Sequence, residues 1–451
     1  LKNPFQTYRL EIGEALKLSY PIILGQLGVI LMGVADTIMV GRLGSNVLAS
    51  ANQANNIFFM LSGLSFGVLF AVSTVVSIKV GEGKVGESFI TYRAGLLAAV
   101  IMFAVQFVML EIIVSNFAYL GQDEAINVMA PGFLRILNWS ILPMLVHIAV
   151  RQYTDGLGHT KIAMIITFCG LAFNIFLNWV LIYGNLGFKA IGMNGAAYAT
   201  LISRICMAAA SLIYVRHGKF MSKYRPVKMP TFSMVRAELP IIWKLGLPIG
   251  LQTFAEWACF SISGIMVGWF GVQRLAAHAV ALNVASVTYM VVSGFAIAGS
   301  IMVGNAYGEG NKKKIKRIGD AIFLIIIVFE LVNAFFFLLG GRFIAHIYGV
   351  APDVYAFVVP LLMLAAVFQV ADGIQAGAMN LLRGITDVNW ASIISVMSYW
   401  VVSLPLSYYL GKVLEGDVYG IWLGFTIGLF IAAILGVWRF YFRQRTLEFE
   451  Y

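Results

Sequence analysis

The sequence predicts an all-α integral membrane protein, with twelve transmembrane helices in two six-helix lobes related by pseudo-two-fold symmetry as parallel repeats. Three observations carry that expectation. Of 451 residues, 60% are hydrophobic and only 12% are charged, about half the charge of an ordinary soluble domain. The apolar residues gather in runs long enough to cross a hydrocarbon core, which takes about 20 residues of helix. The two halves of the chain also match each other in register. The composition excludes a water-soluble enzyme and a disordered chain. Long unbroken runs exclude a transmembrane β-barrel, whose strands alternate over roughly ten residues.

The apolar runs centre on residues 16–40, 47–78, 92–115, 127–150, 161–183, 192–214, 241–268, 277–305, 318–340, 353–381, 390–410 and 418–438. Several are long enough that the helices must tilt or extend beyond the bilayer. A net charge of +10 resembles a nucleic-acid signature until the cations are located. Of the 31 Lys and Arg, 24 lie in loops that share one side, among them Lys2, Arg9, Arg93, those from Arg216 to Lys244, and the run Lys312 to Arg317. Opposite loops hold Arg42, Lys189, Arg274, Arg342 and Lys412, and Arg135 and Arg204 fall inside helices. The positive-inside rule then puts both termini in the cytoplasm, and no nucleic acid is expected as a partner. The first 20 residues are polar and mixed in charge, so no cleavable leader is expected within them. Cys169, Cys206 and Cys259 lie in apolar segments without metal-ligand spacing and read as small buried hydrophobes.

A basic, proline-containing connection divides the chain, with Pro226, Pro230 and Pro240 in it. The expected organisation is a lobe over 1–215, a cytoplasmic linker over 216–240 and a second lobe over 241–451. Shifted by 227 residues, positions 17–83 and 244–310 agree at 21 of 67 places. Lys17-Leu18 falls on Lys244-Leu245, Pro21 on Pro248, Ile38 to Gly41 on Ile265 to Gly268, and Gly81-Glu82-Gly83 on Gly308-Glu309-Gly310. Apolar bias alone does not put charged residues and glycines in register. Six helices per half make the repeats parallel, a plan used by alternating-access carriers with a central site.

Carboxylates inside the apolar runs are Asp36, Glu111, Glu256, Glu330 and Asp372. Each costs roughly 2.5–3.5 kcal/mol at a helix centre when ionised, so it persists by neutralising, pairing or binding a cation. The repeat supplies an internal control. Asp36 falls on Ser263, Glu256 on Val29 and Asp372 near Met144, so the fold itself does not require them. Glu256 has Gln252 one turn before it, and Asp372 is flanked by Gln369 and Gln375. Two carboxylates on facing helices can share a proton or hold a small cation. Asn174 and Asn178 form an i,i+4 oxygen-rich face that suits a hard cation, though asparagine also joins membrane helices. Glu111 and Glu330 have less company in the sequence. His147 and His278, the most embedded of the five histidines, read as structural. There is no phosphate-binding glycine loop of the GxxxxGK type, which argues against direct drive by ATP.

The chain resembles the MATE (multidrug and toxic compound extrusion) family over essentially its full length, in particular the NorM-like branch. The stretches that carry the resemblance are Pro21 to Gly44, with Val34-Ala-Asp36-Thr-Ile-Met-Val-Gly41; Gly271 to Gly310, with Ala276 to Asn283; and Ala371-Asp372-Gly-Ile-Gln-Ala-Gly377. The resemblance implies export of amphipathic, often cationic compounds in exchange for Na⁺ or H⁺, with no further cofactor. It implies a cation site at Glu256 and Asp372, with Tyr289 of helix 8 beside it. It also implies a second polar site at Asp36, Asn174, Asn178 and Thr200. Some sodium-coupled members carry tyrosine where this chain has Phe368, which removes one oxygen and leaves the ion open.

The resulting expectation is a multidrug antiporter of the bacterial inner membrane, multi-pass and monomeric, with membrane lipids and small organic cations as its partners. A lipid-linked saccharide flippase of similar architecture is the rival. It would need a cationic cavity, and the intramembrane arginines are only Arg135 and Arg204 against five acids. An integral-membrane enzyme would need a metal or nucleophile constellation, which the sequence lacks.

Overall fold

The computed structural model describes residues 4–121, 123–226, 228–349 and 352–448; Lys2, counted above with the cations of one side, lies outside them. Regular structure among the described residues is entirely helical. The spans are α1 (Pro4–Gly41), α2 (Ser45–Gly81), α3 (Ser88–Ser115), α4 (Glu124–Trp139 and Ile141–Gly156), α5 (Thr160–Tyr183) and α6 (Met193–His217). After the linker come α7 (Phe232–Gly268), α8 (Val272–Gly308), α9 (Lys312–Ile347), α10 (Pro352–Gly384), α11 (Val388–Val413) and α12 (Asp417–Thr446). Ten of them are long and apolar enough to cross a membrane, and the bent pair in α4 makes an eleventh. The twelfth, α7, is 37 residues long, but Gln252, Thr253 and Glu256 dilute its apolar run. Most helices overrun the expected spans, α1 by a dozen residues at its start, because helix continues past the apolar stretch.

Two irregularities have sequence causes. The halves of α4 meet at 43° around Ser140. Pro143 has no N–H for the Trp139 carbonyl four residues earlier, and its ring crowds that carbonyl. In α11 the backbone widens into π-helix over Met397–Ser403 and Tyr409–Val413 on either side of Pro405, again where a backbone donor is missing. Such widened turns often occur at functional sites.

The chain forms two compact units, Leu24–Gly250 and a second made of Leu1–Ile23 with Leu251–Tyr451. These are not the pieces that a cut at the linker would make. The first half of α1 belongs with the C-terminal unit and the first half of α7 with the N-terminal one. The breaks, after Ile23 and after Gly250, are separated by the repeat offset itself (250 − 23 = 227). Each follows a helix-internal proline, Pro21 and Pro248. Matched glycines of the repeat are turn residues with positive φ: Gly44 (125°) and Gly271 (102°), Gly83 (75°) and Gly310 (68°). That backbone need explains why these positions agree between the halves.

Within the N-terminal unit the first half of α7 lies against α2. A Cβ on Gly67 would come within 2.6 Å of the Gly250 nitrogen and 2.7 Å of the Ile249 carbonyl oxygen, so the two backbones pack directly. Glu238 fastens this segment: its Oε1 accepts from Lys79 Nζ at 2.6 Å and Thr91 Oγ1 at 2.6 Å. In the C-terminal unit, Ile22 of α1 packs on Ala298 and Ile301 of α8. Glu11, which the repeat offset carries onto Glu238, pairs there with Arg317 at 3.4 Å. The core of this unit is built from Ile315, Ile318, Ile322 and Ile326 of α9 with Leu381 and Leu382 of α10 and Phe440 of α12. Replacing Glu238 by alanine strands a largely buried ammonium. It should destabilise the protein by about 3 kcal/mol, read as a lower melting temperature in detergent. Glu238→Gln, which still accepts from Thr91, should lose less.

The cysteine expectation needs correcting. Cys259 is buried, but Cys169 and Cys206 are exposed, because the outer face of a membrane helix meets lipid and an apolar residue there has no need of protein cover. His147 and His278 are buried and partnered, by Ser211 at 2.8 Å and Trp422 at 3.0 Å. At the loop before α5, His159 contacts the Tyr224 hydroxyl at 2.8 Å; burial, then the charge of Lys223, hold its pKa below the usual histidine value.

Candidate functional site

In the N-terminal unit the four expected residues come together. Asp36 sits on α1; its Oδ1 accepts from Asn178 Nδ2 at 2.5 Å and its Oδ2 from the Thr200 hydroxyl at 3.2 Å. Asn178 also donates to Asn174 Oδ1 at 3.2 Å, and Asn174 donates to Thr200 at 3.4 Å. Both asparagines are fully buried. Their i,i+4 spacing on α5 stacks them on one face, and Thr200 closes the ring from α6. Asn178 Oδ1 has no partner among the described residues, leaving one amide oxygen free beside the carboxylate.

A cation-bearing residue stands next to this ring. Arg204, one turn after Thr200, is held by Ser140 Oγ at 2.6 Å and lies over the Phe58 ring at 5.0 Å. The break in α4 is what presents Ser140. Arg204 is close enough to act electrostatically on Asp36. The sequence shows it as an intramembrane arginine but gives no sign that it neighbours the site, because the contact depends on how α6 packs against α4.

In the C-terminal unit Glu256, Tyr289, Phe368, Gln369 and Asp372 line one cavity of about 310 Å³. Gln252 Nε2 donates to Glu256 Oε1 at 2.9 Å, and Gln375 Nε2 reaches the same oxygen at 3.3 Å and Ser395 Oγ at 3.4 Å. The α7–α10 connection thus runs through Gln375. Among the described residues no hydrogen bond joins Glu256 to Asp372; they face each other's charge across the cavity. Gln369 turns away, to the Ala285 carbonyl at 2.9 Å and the Thr288 hydroxyl. Phe368 is 3% exposed and packs edge-on to Trp422 at 5.3 Å and Phe260 at 6.3 Å. It offers the cavity an apolar wall. Tyr399, in the widened turn of α11, also lines the cavity. Sequence reasoning missed it, since a π-turn changes which residues face inward.

The oxygen sets are compatible with a small hard cation. Each site has one or two carboxylates with amide oxygens nearby, and Gln252 Oε1 and Gln369 Oε1 are buried and unpartnered among the described residues. No group of three or more His, Cys, Asp or Glu that could hold a metal ion occurs among the described residues. The remaining intramembrane acids behave differently from their sequence surroundings. Glu111 is not alone: Asn138 Nδ2 donates to it at 3.0 Å, and Arg135 lies 3.8 Å away. Glu330 is buried against α10.

Comparison with known proteins follows the same lines. The MatE family model matches residues 21–180 and 248–409. The chain is 33% identical to "Probable multidrug resistance protein NorM" of Mesorhizobium japonicum, over 98% of this chain and 96% of that protein. It is 31% identical to the protein of the same name from Pasteurella multocida, over 96% and 94%. Among solved structures, a eukaryotic MATE transporter superposes with TM-score 0.88 at 18% identity, covering 97% of this chain and 98% of that one. A MOP superfamily transporter from Pyrococcus furiosus, described as having a binding pocket of reverse polarity that suggests a different function, superposes at 0.86 with 22% identity, covering 98% and 97%. At these identities the structures speak for the fold alone.

Proposed function

Because the chain belongs to the MatE family, we propose that it is a secondary active efflux transporter of the bacterial inner membrane, exchanging Na⁺ or H⁺ for amphipathic, often cationic organic compounds. The acidic cavity of the C-terminal unit carries this reading. Two carboxylates in a space of about 310 Å³ with aromatic walls attract a cationic aromatic guest and a small cation alike. A cation entering from outside neutralises Glu256 and Asp372, or the Asp36 ring, and the guest loses the charge that held it. Both compete for one electrostatic resource, which is how exchange is coupled. Glu256 would receive the cation, Gln252 and Gln375 would orient its carboxyl, and Tyr289 and Phe368 would meet the guest.

The energetics are sufficient. One charge moving inward through ~150 mV yields about 3.5 kcal/mol, equal to between two and three decades of concentration. For a neutral drug that drives export. For a monovalent cationic drug exchanged one for one, the electrical terms cancel and the ion's own gradient does the work. The charge of the loops supports a reading with both termini in the cytoplasm, and the protein is read as a monomer in its lipid surroundings. Alternating access between the two repeats supplies the conformational change.

The flippase alternative keeps one observation, the arginine beside Asp36. It requires a cavity that attracts a pyrophosphate, and the cavity of the C-terminal unit has the opposite sign. The deciding experiment uses purified protein in sealed vesicles loaded with ethidium, under an imposed Na⁺ gradient or an imposed pH gradient. Dye movement driven by one gradient names the ion and supports exchange. If neither gradient moves dye, multidrug exchange is lost and lipid-linked saccharide transport is next to test.

A further inference from the structure

Trp422 of α12 donates its indole N–H to Nδ1 of His278 on α8 at 3.0 Å, and both rings are buried. An indole nitrogen can only donate. His278 Nδ1 therefore carries no proton, and the imidazole is neutral with its hydrogen on Nε2. That second nitrogen has no partner among the described residues, although His278 is only 4% exposed. A buried N–H left without an acceptor is costly. The fold does not call for one at this place: the repeat offset carries His278 onto Ala51.

His278 lines a second, much smaller cavity of the C-terminal unit, about 10 Å³, together with Phe260, Ser263, Leu282, Phe368 and Trp422. That is about the space one oxygen atom of a water takes up. Gly264 of α7 stands on the Nε2 side of the imidazole, where a Cβ would lie 3.9 Å from that nitrogen. Phe260, Leu282 and Phe368 also line the larger cavity of Glu256 and Asp372, so the two spaces share a wall. The Ser263 hydroxyl donates within its own helix, to the Phe260 carbonyl at 2.7 Å. Among the described residues no charged side chain lines the small chamber. It thus offers one free N–H among aromatic walls. Such surroundings suit an uncharged oxygen acceptor and disfavour an ion, which would be desolvated there without a partner of opposite charge.

We propose that this chamber is a subsite for an uncharged hydrogen-bond acceptor on the transported compound, a ketone or ester carbonyl, which reaches His278 Nε2–H past the Phe368 ring. The cationic part of the same compound stays with Glu256 and Asp372. The inference rests on the reading of the larger cavity as the place that receives the guest. It makes His278 a specificity-determining residue, because it selects among compounds that share a charge and an aromatic body. A guest without an oxygen acceptor gains nothing from it.

The test compares two cationic dyes by fluorescence titration of the purified full-length protein: a rhodamine methyl ester, which carries a carbonyl, and ethidium, which has no oxygen. His278→Asn keeps an acceptor for Trp422 but lacks the Nε2 donor. It should weaken the rhodamine ester by about tenfold, as expected for one neutral hydrogen bond, and leave ethidium unchanged. Ser263→Val adds a methyl to the chamber wall from α7 and should separate the dyes in the same direction, which keeps the test open if His278→Asn does not fold. Nitrogen magnetic resonance of histidine-labelled protein should show, for the signal missing from His278→Asn, a bare Nδ1 and a protonated Nε2. Its Nε2–H resonance should move on adding the rhodamine ester and stay in place with ethidium. The proposal is overturned if the variants weaken both dyes equally, since His278 then only shapes the larger cavity. It is also overturned if neither affinity changes, which would leave Nε2–H to a bound water, or if Nδ1 proves to be the protonated nitrogen. Should wild type bind neither dye, the guest-site reading of the larger cavity falls and the subsite with it.

Discussion

Glu256→Gln is expected to weaken the hold of the coupling cation on the C-terminal unit by about hundredfold and to leave the fold intact. Removing the charged partner of a desolvated ion costs about 3 kcal/mol, which is about two decades in affinity. The fold survives because the glutamine carbonyl oxygen can accept from the same Gln252 and Gln375 amides in a side chain of the same shape. The quantity to measure is the ion concentration giving half-maximal dye efflux from vesicles. An unchanged value would move the cation site to the Asp36 ring. Asp36→Asn has a second consequence there, since Arg204, held by Ser140 and Phe58, would lose the one acid that acts on it among the described residues.

The second large effect is structural. Gly67→Ala should lower stability by about 3 kcal/mol, at the upper end of overpacking penalties. The added methyl would meet the Gly250 Cα and nitrogen and the Ile249 oxygen, all backbone, so no rotamer change relieves it. The first half of α7 must move off α2 instead. At the matched position of the repeat, a methyl on Gly294 would meet Ile23 Cγ1 first, with the Ile23 backbone nitrogen and Cα 3.2 and 3.3 Å away; a side-chain atom can shift where backbone cannot, so the cost of Gly294→Ala should be smaller than that of Gly67→Ala. Gly13→Ala has nothing within 4 Å and should be neutral or slightly stabilising through helix propensity. Thermal unfolding of the three variants in detergent gives the order. Equal melting temperatures for Gly67→Ala and Gly13→Ala would mean that the close approach carries no stability.

Much of this was legible in the sequence because membrane helices obey a length rule and a charge rule that single residues report directly. Each of the twelve apolar runs lies inside a helical span to within a residue, the fourth with its break at Ser140, and Asp36, Asn174, Asn178 and Thr200 meet in one ring. What stayed hidden depends on packing. Arg204 needed the bend that Pro143 makes in α4, and Tyr399 needed the widened turn before Pro405. Glu330 looked solitary because its neighbour is a glycine: a residue without a side chain leaves no mark in the sequence of what it lets approach. The unit boundaries were also unreadable from composition. Helix α1 runs without interruption through Ile23 and Leu24, and nothing in the apolar pattern changes there.

That boundary has a consequence for the origin and assembly of the chain. If the two repeats descend from one six-helix gene, a lone copy would have lacked a partner for the first 23 residues and for the surface that receives them. The arrangement seen here is that of a strand of chain lent to a sister copy and received back. On that premise a lone half would need a second copy to receive its first segment and to supply the one it lacks. The same reasoning predicts how the modern chain behaves when divided. Halves separated in the basic linker should accumulate only when made together in one cell, each acting as the folding template of the other.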